Sequence, residues 1–222
     1  MHPRGRRVWL FDLDNTLHDA TPHIFPHINR AMRDYIAQHL TVDHQKADEI
    51  RQHYWQRYGA TLLGLMRHHQ TDPEHFLWET HQFPDLPRQL CFSQAVRHLI
   101  KRLPGRKILF SNAPRHYTEA ILALTGLAPL FSTVYTVERV KFQPKPMPQG
   151  FRHLLRAEGL HPRDCIMVED SLDNLVTAKR LGMTTIWIHR GMRQSPYVDI
   201  KLRHILELGR RHPTPRHPTP GN

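Results

Sequence analysis

The sequence predicts an α/β protein: a doubly wound parallel sheet that carries a helical insertion after its first strand. Three observations lead there. The run Val8-Trp9-Leu10-Phe11 has the length and aromatic, β-branched character of a short buried strand, and it stops where Asp12 and Asp14 begin. From residue 91 onward, apolar runs of strand length alternate with stretches of helical period. Between these two parts, residues 20–90 show helical periodicity alone.

Residues 1–19 and 91–209 therefore read as one core and 20–90 as the insertion. Within the insertion, Ile28, Met32, Tyr35, Ile36 and Leu40 keep helical spacing, as do Tyr54, Trp55, Tyr58, Leu62, Leu65 and Met66. Pro73, Pro84 and Pro87 are expected to break the pattern and close the region. Residues 95–103 then form a helix stopped by Pro104-Gly105, and residues 107–110 a buried strand. A helix over 114–124 has Gly126 just beyond it. Residues 133–137 read as a strand and 148–158 as a helix ended by Gly159. Residues 165–168 are a strand, 172–181 a helix ended by Gly182, and 185–188 a last strand that closes the series. The tail, 210–222, holds His-Pro-Thr-Pro twice and is expected to be a disordered appendix, since proline at this density favours an extended, unpacked chain.

Composition narrows the function classes. A chain of 222 residues with 39% hydrophobic content can bury a real core, which argues against wholesale disorder. Two cysteines, Cys91 and Cys165, exclude a disulfide framework and suit a reducing cytosol. The apolar stretch near the N-terminus ends at Asp12, too short for a signal-peptide core or a membrane span, so a cytoplasmic protein with no membrane partner is expected. The net charge of +11 is uneven: residues 91–209 carry +9 and 210–222 carry +3, whereas 1–19 are neutral and 20–90 carry −1. Such a field could steer an anionic substrate, serve a nucleic-acid surface, or simply be a solvated basic face. The 19 histidines show no zinc-binding spacing and read mostly as surface residues.

In a doubly wound sheet, ligands sit beyond the carboxyl ends of the strands. The polar residues that stand out all fall at such ends: Asp12 and Asp14, Ser111 and Asn112, Glu169 and Asp170. Acids at neighbouring tips are costly to hold together unless a cation or a reacting phosphate shares the space. Taken alone, Asp14-Asn15 is also ordinary turn chemistry.

The set of motifs resembles the haloacid dehalogenase superfamily of phosphohydrolases. Asp12-Leu13-Asp14-Asn15-Thr16 matches its first motif, Ser111-Asn112 the second, Lys145 in Lys145-Pro146-Met147-Pro148 the third, and Glu169-Asp170-Ser171-Leu172-Asp173-Asn174 the fourth. The resemblance implies a Rossmann-like core and a phosphatase acting through an aspartyl-phosphate on Asp12, with Asp14 as general acid and base. It implies Mg²⁺ held by the Asp12 side chain, the Asp14 main-chain carbonyl and Asp170, with Glu169 binding the ion directly or supporting those that do. Ser111, the Asn112 N–H and Lys145 would bind the phosphoryl group. Ser171 reads mostly as a helix cap, and Asn174 as either support or function.

By the same resemblance, residues 20–90 correspond to a helical cap that closes over the site and selects the leaving group. The segment Tyr58-Gly59-Ala60-Thr61-Leu62-Leu63-Gly64-Leu65 resembles the pyrimidine 5′-nucleotidase subgroup, which implies a pyrimidine nucleoside 5′-monophosphate as substrate. Trp55 and Tyr58, with Tyr54, would then stack on the base, although aromatics at helical spacing also build cap cores. A phosphatase of a sugar phosphate or phosphoglycolate stands as the alternative. A nucleic-acid-binding protein using the basic surface is the remaining one, opposed by the acids at Asp12, Asp14 and Asp170.

Overall fold

The computed structural model of the protein describes residues 7–210. Six parallel strands form one sheet in the order β3-β2-β1-β4-β5-β6: β1 (Val8–Phe11), β2 (Arg106–Phe110), β3 (Thr133–Tyr135), β4 (Cys165–Glu169), β5 (Thr184–Ile188) and β6 (Ile200–Leu202). The chain is thus an α/β protein with a doubly wound sheet, as its alternation of elements predicts. Strand β1 lies at the centre, where both neighbours come from far along the chain.

Because alternate side chains of a strand face opposite ways, β1 feeds two cores. Trp9 and Phe11 join a cluster with residues of α1 (Ile24–Leu40), α6 (Gln94–Arg102) and α7 (Arg115–Thr125), including Ile28, Leu99 and Ile121. Val8 and Leu10 join the other, with Phe151 and Leu154 of α8 (Pro148–Ala157) and Leu175 of α9 (Leu172–Arg180). The tip of β1 is therefore clamped between two apolar layers, so polar groups placed there are held rigidly.

The insertion contains α1, α2 (His44–Tyr58), α3 (Thr61–His69), α4 (Pro73–Thr80) and the short α5 (Leu86–Gln89). Its own core gathers Tyr35, Ile36, Leu62, Leu65 and Phe76, and Val137 from beyond β3 completes it. Helix α1 serves both units, its first turns in the sheet core and Tyr35 and Ile36 in the insertion core.

The structure corrects the sequence reading at several places. The helical period from Tyr54 to Met66 spans two helices, because Gly59 takes φ +80° and ends α2. Pro73 and Pro87 start helices instead of closing the region: Asp72 caps α4 through the Glu74 N–H at 2.9 Å, and a proline in the first turn loses no bond. The sheet continues past β5 to β6, a three-residue strand too short to show a period. Ser171 occupies the N-cap position of α9, yet its side chain makes no capping bond. Among the histidines, read mostly as surface residues, His18 and His81 are buried exceptions. Both cysteines are free thiols. No helix among the described residues is long and apolar enough to cross a membrane. The expected disordered tail lies outside the described residues, apart from Arg210.

Candidate active site

The sheet brings the tips of β1, β2 and β4 together, and the loop before α8 adds Lys145. Asp12 follows β1 directly, and its N–H donates to Val168 O at 3.0 Å, which extends the ladder by one residue and fixes the carboxylate. Lys145 is buried and its Nζ donates to Asp12 Oδ1 and Glu169 Oε2, each at 2.7 Å. Burial alone would push this ammonium down, but the Asp12 and Glu169 carboxylates outweigh it and hold the lysine charged.

Carboxylate oxygens of Asp12, Glu169 and Asp170 lie within 4.8 Å of one another. Burial, then repulsion from Glu169, pushes Asp12 up to about 7 against the pull of Lys145. Burial and the neighbouring Asp12 and Glu169 push Asp170 up to about 9. One ammonium does not offset three acids. Hard oxygen donors with excess negative charge suit a small divalent cation such as Mg²⁺, so the residues present fit one. Glu169 has both oxygens engaged, Oε2 by Lys145 and Oε1 by the Ser171 N–H at 3.2 Å. The Asp170 carboxylate faces those of Asp12 and Glu169, while its carbonyl accepts from Trp187 Nε1 at 2.7 Å.

Asp14 lives in a different environment. Its Oδ1 accepts from Tyr117 Oη at 2.7 Å and lies 2.9 Å from His18 Nε2. These bonds outweigh burial and hold the carboxyl below its ordinary value. Tyr117 is correspondingly pushed up, by burial first and then by Asp14. His81, at the end of α4, is lowered to about 4 by burial despite the attraction of Asp14, so it stays neutral at pH 7.

Ser111 is buried after β2, its N–H bonded to Tyr135 O and its Oγ accepting from the Ala113 N–H at 3.0 Å, so the hydroxyl hydrogen remains available to donate. The Asn112 side chain grips the Lys145 backbone at both ends, Nδ2 to Lys145 O and Lys145 N to Oδ1, each at 2.8 Å. Asn112 thereby fixes the loop that delivers the ammonium. Asn174 is buried on the first turn of α9.

The insertion reaches this cluster differently. The Gly59 turn rests on the Lys145 loop so closely that an added Cβ would stand 2.9 Å from Pro146 Cδ. Trp55 is 62% exposed, and Tyr58 Oη lies 2.7 Å from His68 Nε2. No hydrogen bond or ring contact joins Trp55 or Tyr58 to the acids. The sequence motifs located all the strand-tip groups but missed His18, Tyr117, His81 and the Asn112 side chain as a clamp. His18, four residues past Asp14, could have been found by asking what partners that acid locally. Tyr117, 103 residues away, left no such trace.

A family model described as haloacid dehalogenase-like hydrolase matches residues 7–182. Phosphate metabolism protein 8 of Saccharomyces cerevisiae is 24% identical over 194 residues, covering 81% of this chain and 60% of that protein, so this chain spans less than two thirds of that relative. Pyrophosphatase PpaX of Oceanobacillus iheyensis is 23% identical over 198 residues, covering 86% of this chain and 87% of that one. The crystal structure of a HAD phosphatase from Thermococcus onnurineus superposes with a TM-score of 0.66 at 24% identity, covering 92% and 96% of the two chains. The chain belongs to the haloacid dehalogenase-like hydrolases.

Proposed function

We propose that this hydrolase is a Mg²⁺-dependent phosphatase of small-molecule phosphate monoesters, with Asp12 as nucleophile and Asp14 as general acid and base. The carrying observation is the separation of the two acids: Asp12 shares Lys145 with Glu169, whereas Asp14 is held apart by Tyr117 and His18. Acids with different roles need different surroundings; without metal Asp12 is raised and Asp14 lowered, so these roles require the bound cation to ionise Asp12 and the substrate's negative charge to raise Asp14. The names of the relatives, a phosphate metabolism protein and a pyrophosphatase, support phosphoryl chemistry.

In this reading a carboxylate oxygen of Asp12 attacks phosphorus while Asp14 gives its proton to the leaving oxygen. Water then attacks the aspartyl-phosphate, Asp14 takes a proton from that water, and the bond from phosphorus to Asp12 breaks to release phosphate and the free carboxylate. Ser111 donates its hydroxyl to a phosphoryl oxygen beside the Asn112 N–H. Lys145, held by its neighbours in one position, stabilises charge as it shifts onto the transferring group. The side chains of Asp12 and Asp170 and the Asp14 carbonyl would hold the cation, and Glu169, occupied by Lys145 and Ser171, would support from behind. Bound there, Mg²⁺ offsets the repulsion between an anionic nucleophile and an anionic substrate.

For the leaving group, a sugar phosphate or phosphoglycolate is favoured over a pyrimidine nucleoside 5′-monophosphate. The relatives' names support this, a hexitol phosphatase of Escherichia coli and a phosphoglycolate phosphatase of Colwellia psychrerythraea among them, and Trp55 is largely exposed. Residues 20–90 act as the cap, with the Gly59 turn as its closest approach to Lys145. Free thiols at Cys91 and Cys165 support a cytoplasmic setting. Phosphate release from p-nitrophenyl phosphate and from a panel of sugar phosphates, phosphoglycolate and nucleotides, with Mg²⁺ and with EDTA, tests the reading. Metal-dependent hydrolysis is expected, and full activity in chelator would remove the ligand roles of Asp12 and Asp170.

A further inference from the structure

Lys145 stands on irregular backbone. Residues 136–147, between β3 and α8, form neither helix nor strand, and only local turns order them, the last closed by the Met147 N–H on Pro144 O at 2.9 Å. The ammonium is held by Asp12 and Glu169, but Asp12 is the proposed nucleophile, and its charge is used up as the bond to phosphorus forms. During that step Glu169 and the main chain must keep the ammonium aimed. Asn112 fixes the chain at Lys145 itself, through both its N–H and its carbonyl. Pro146, the next residue, has no N–H, which leaves its carbonyl as the one backbone group by which it can be tied. That carbonyl accepts from Thr177 Oγ1 at 2.7 Å.

A helix threonine commonly returns its hydroxyl to the carbonyl four residues earlier. Thr80 and Thr125 do so, to Phe76 O and Ile121 O at 2.7 Å each. Thr177 lies on α9, yet its hydroxyl leaves the helix and crosses to a loop 31 residues earlier in the chain. The same helix follows directly on Asp170 and Ser171, so it begins at the acid cluster and grips the lysine loop about two turns further on. One rigid element thereby sets the spacing between the acids and the backbone that carries the ammonium.

We propose that Thr177 is a positioning residue: its hydroxyl, bonded to the Pro146 carbonyl, holds Lys145 against the transferring phosphoryl group. The inference rests on the phosphatase reading and adds to it a residue outside the four motifs.

Two substitutions separate the hydroxyl from the shape of the side chain. Thr177→Val keeps the shape and loses the hydroxyl, whereas Thr177→Ser loses a methyl group and keeps the hydroxyl. Rates are read on p-nitrophenyl phosphate with saturating Mg²⁺, well below the melting temperature of each variant. Thr177→Val is expected to lower kcat by about tenfold or more, since a misplacement of about 1 Å in a catalytic group costs as much as about 10²-fold. KM should stay within about twofold, because Lys145 acts on charge that shifts in the transition state. Thr177→Ser should keep both constants within about threefold of wild type. A packing role gives the reverse order, with the valine variant active and the serine variant impaired. Should valine not fit the site, Thr177→Ala against Thr177→Ser, which differ only in the hydroxyl, gives the same contrast. A valine or alanine variant with the wild-type kcat, a serine variant equally slow, or a loss confined to KM overturns the role of Thr177 and leaves the phosphatase reading intact. A wild type inactive on p-nitrophenyl phosphate with Mg²⁺ overturns the phosphatase reading itself, and this role with it.

Discussion

The core and the insertion hold their polar residues in opposite ways. At the strand tips, buried Asp12 and Glu169 each accept from the buried Lys145 ammonium at 2.7 Å, all three on a backbone already fixed by the sheet or by Asn112. In the insertion, Tyr54 and Tyr58 pair with His69 and His68 on a partly exposed face, and Trp55 stands largely in solvent. The first arrangement tolerates no displacement, since a buried charge that loses its partner is costly. The second can change with little penalty. The chemistry proposed above thus sits on the rigid edge of the sheet, and the insertion offers a surface that can change without disturbing it.

The largest effect expected from breaking this contrast is at Asp12. Asp12→Asn should lower kcat below about one ten-thousandth of wild type, beyond what an auxiliary acid–base group contributes. Its circular dichroism should be unchanged, because the near-isosteric amide removes a charge from a crowded acidic cluster. A variant that still turned over at a hundredth of the wild-type rate would argue for a different nucleophile.

Next comes the Asp14 side. Asp14→Asn should cost about 10²–10⁴-fold on alkyl phosphates, whose leaving oxygen needs a proton. Losing one charge-assisted hydrogen bond in Tyr117→Phe should cost about tenfold on the same esters. p-Nitrophenyl phosphate, with its good leaving group, should be affected much less by either change. Equal losses on both substrate types would show that Tyr117 only stabilises the fold.

Metal and pH sharpen the comparison without measuring activity. Without metal, Asp12 and Asp170 titrate near 7 and 9 against an ordinary 3.8, so the folded state binds more protons than the unfolded chain between about 4 and 9. Stability contributed by these two groups is therefore lost as pH rises through that window. Asp14, held low, works the other way and loses its contribution only as pH falls below the ordinary range. The melting temperature in EDTA should fall from pH 5 to pH 9, and Mg²⁺ should flatten that slope. Calorimetry in buffers of different ionisation enthalpy should detect protons released as Mg²⁺ binds at pH 7. A flat profile in EDTA would mean that the acids are not crowded in solution.

The smallest effect is expected at Trp55. Trp55→Ala should leave kcat/KM on nucleotides and on p-nitrophenyl phosphate within about twofold, with a stability change within about 0.5 kcal/mol. A loss of about 1–3 kcal/mol confined to nucleotides would instead restore base stacking, and with it the pyrimidine nucleotide as substrate.

What the sequence determined by itself is whatever the chain encodes over a few residues. The apolar run ending at Asp12, the alternation of strand and helix after residue 91, and the order of Asp12, Ser111, Lys145 and Asp170 were all legible, because periodicity and motif spacing are local signals. They sufficed for the first five strands and for the strand-tip residues. Other features were set by packing. Tyr117 meets Asp14 across 103 residues and Asn112 clamps Lys145 across 33, contacts that exist only once the strands are paired. Trp55 has the same helical spacing whether it faces a core, a substrate or water, and the tertiary structure leaves it exposed. Strand β6 is too short to carry a period and forms because β5 offers an open edge. A groove lined by Thr16, Ser93, Asp170, Ile188 and Ile205 joins five separate parts of the chain. Local patterns choose elements, whereas the environment of a charge or an aromatic ring depends on neighbours that only the folded chain supplies.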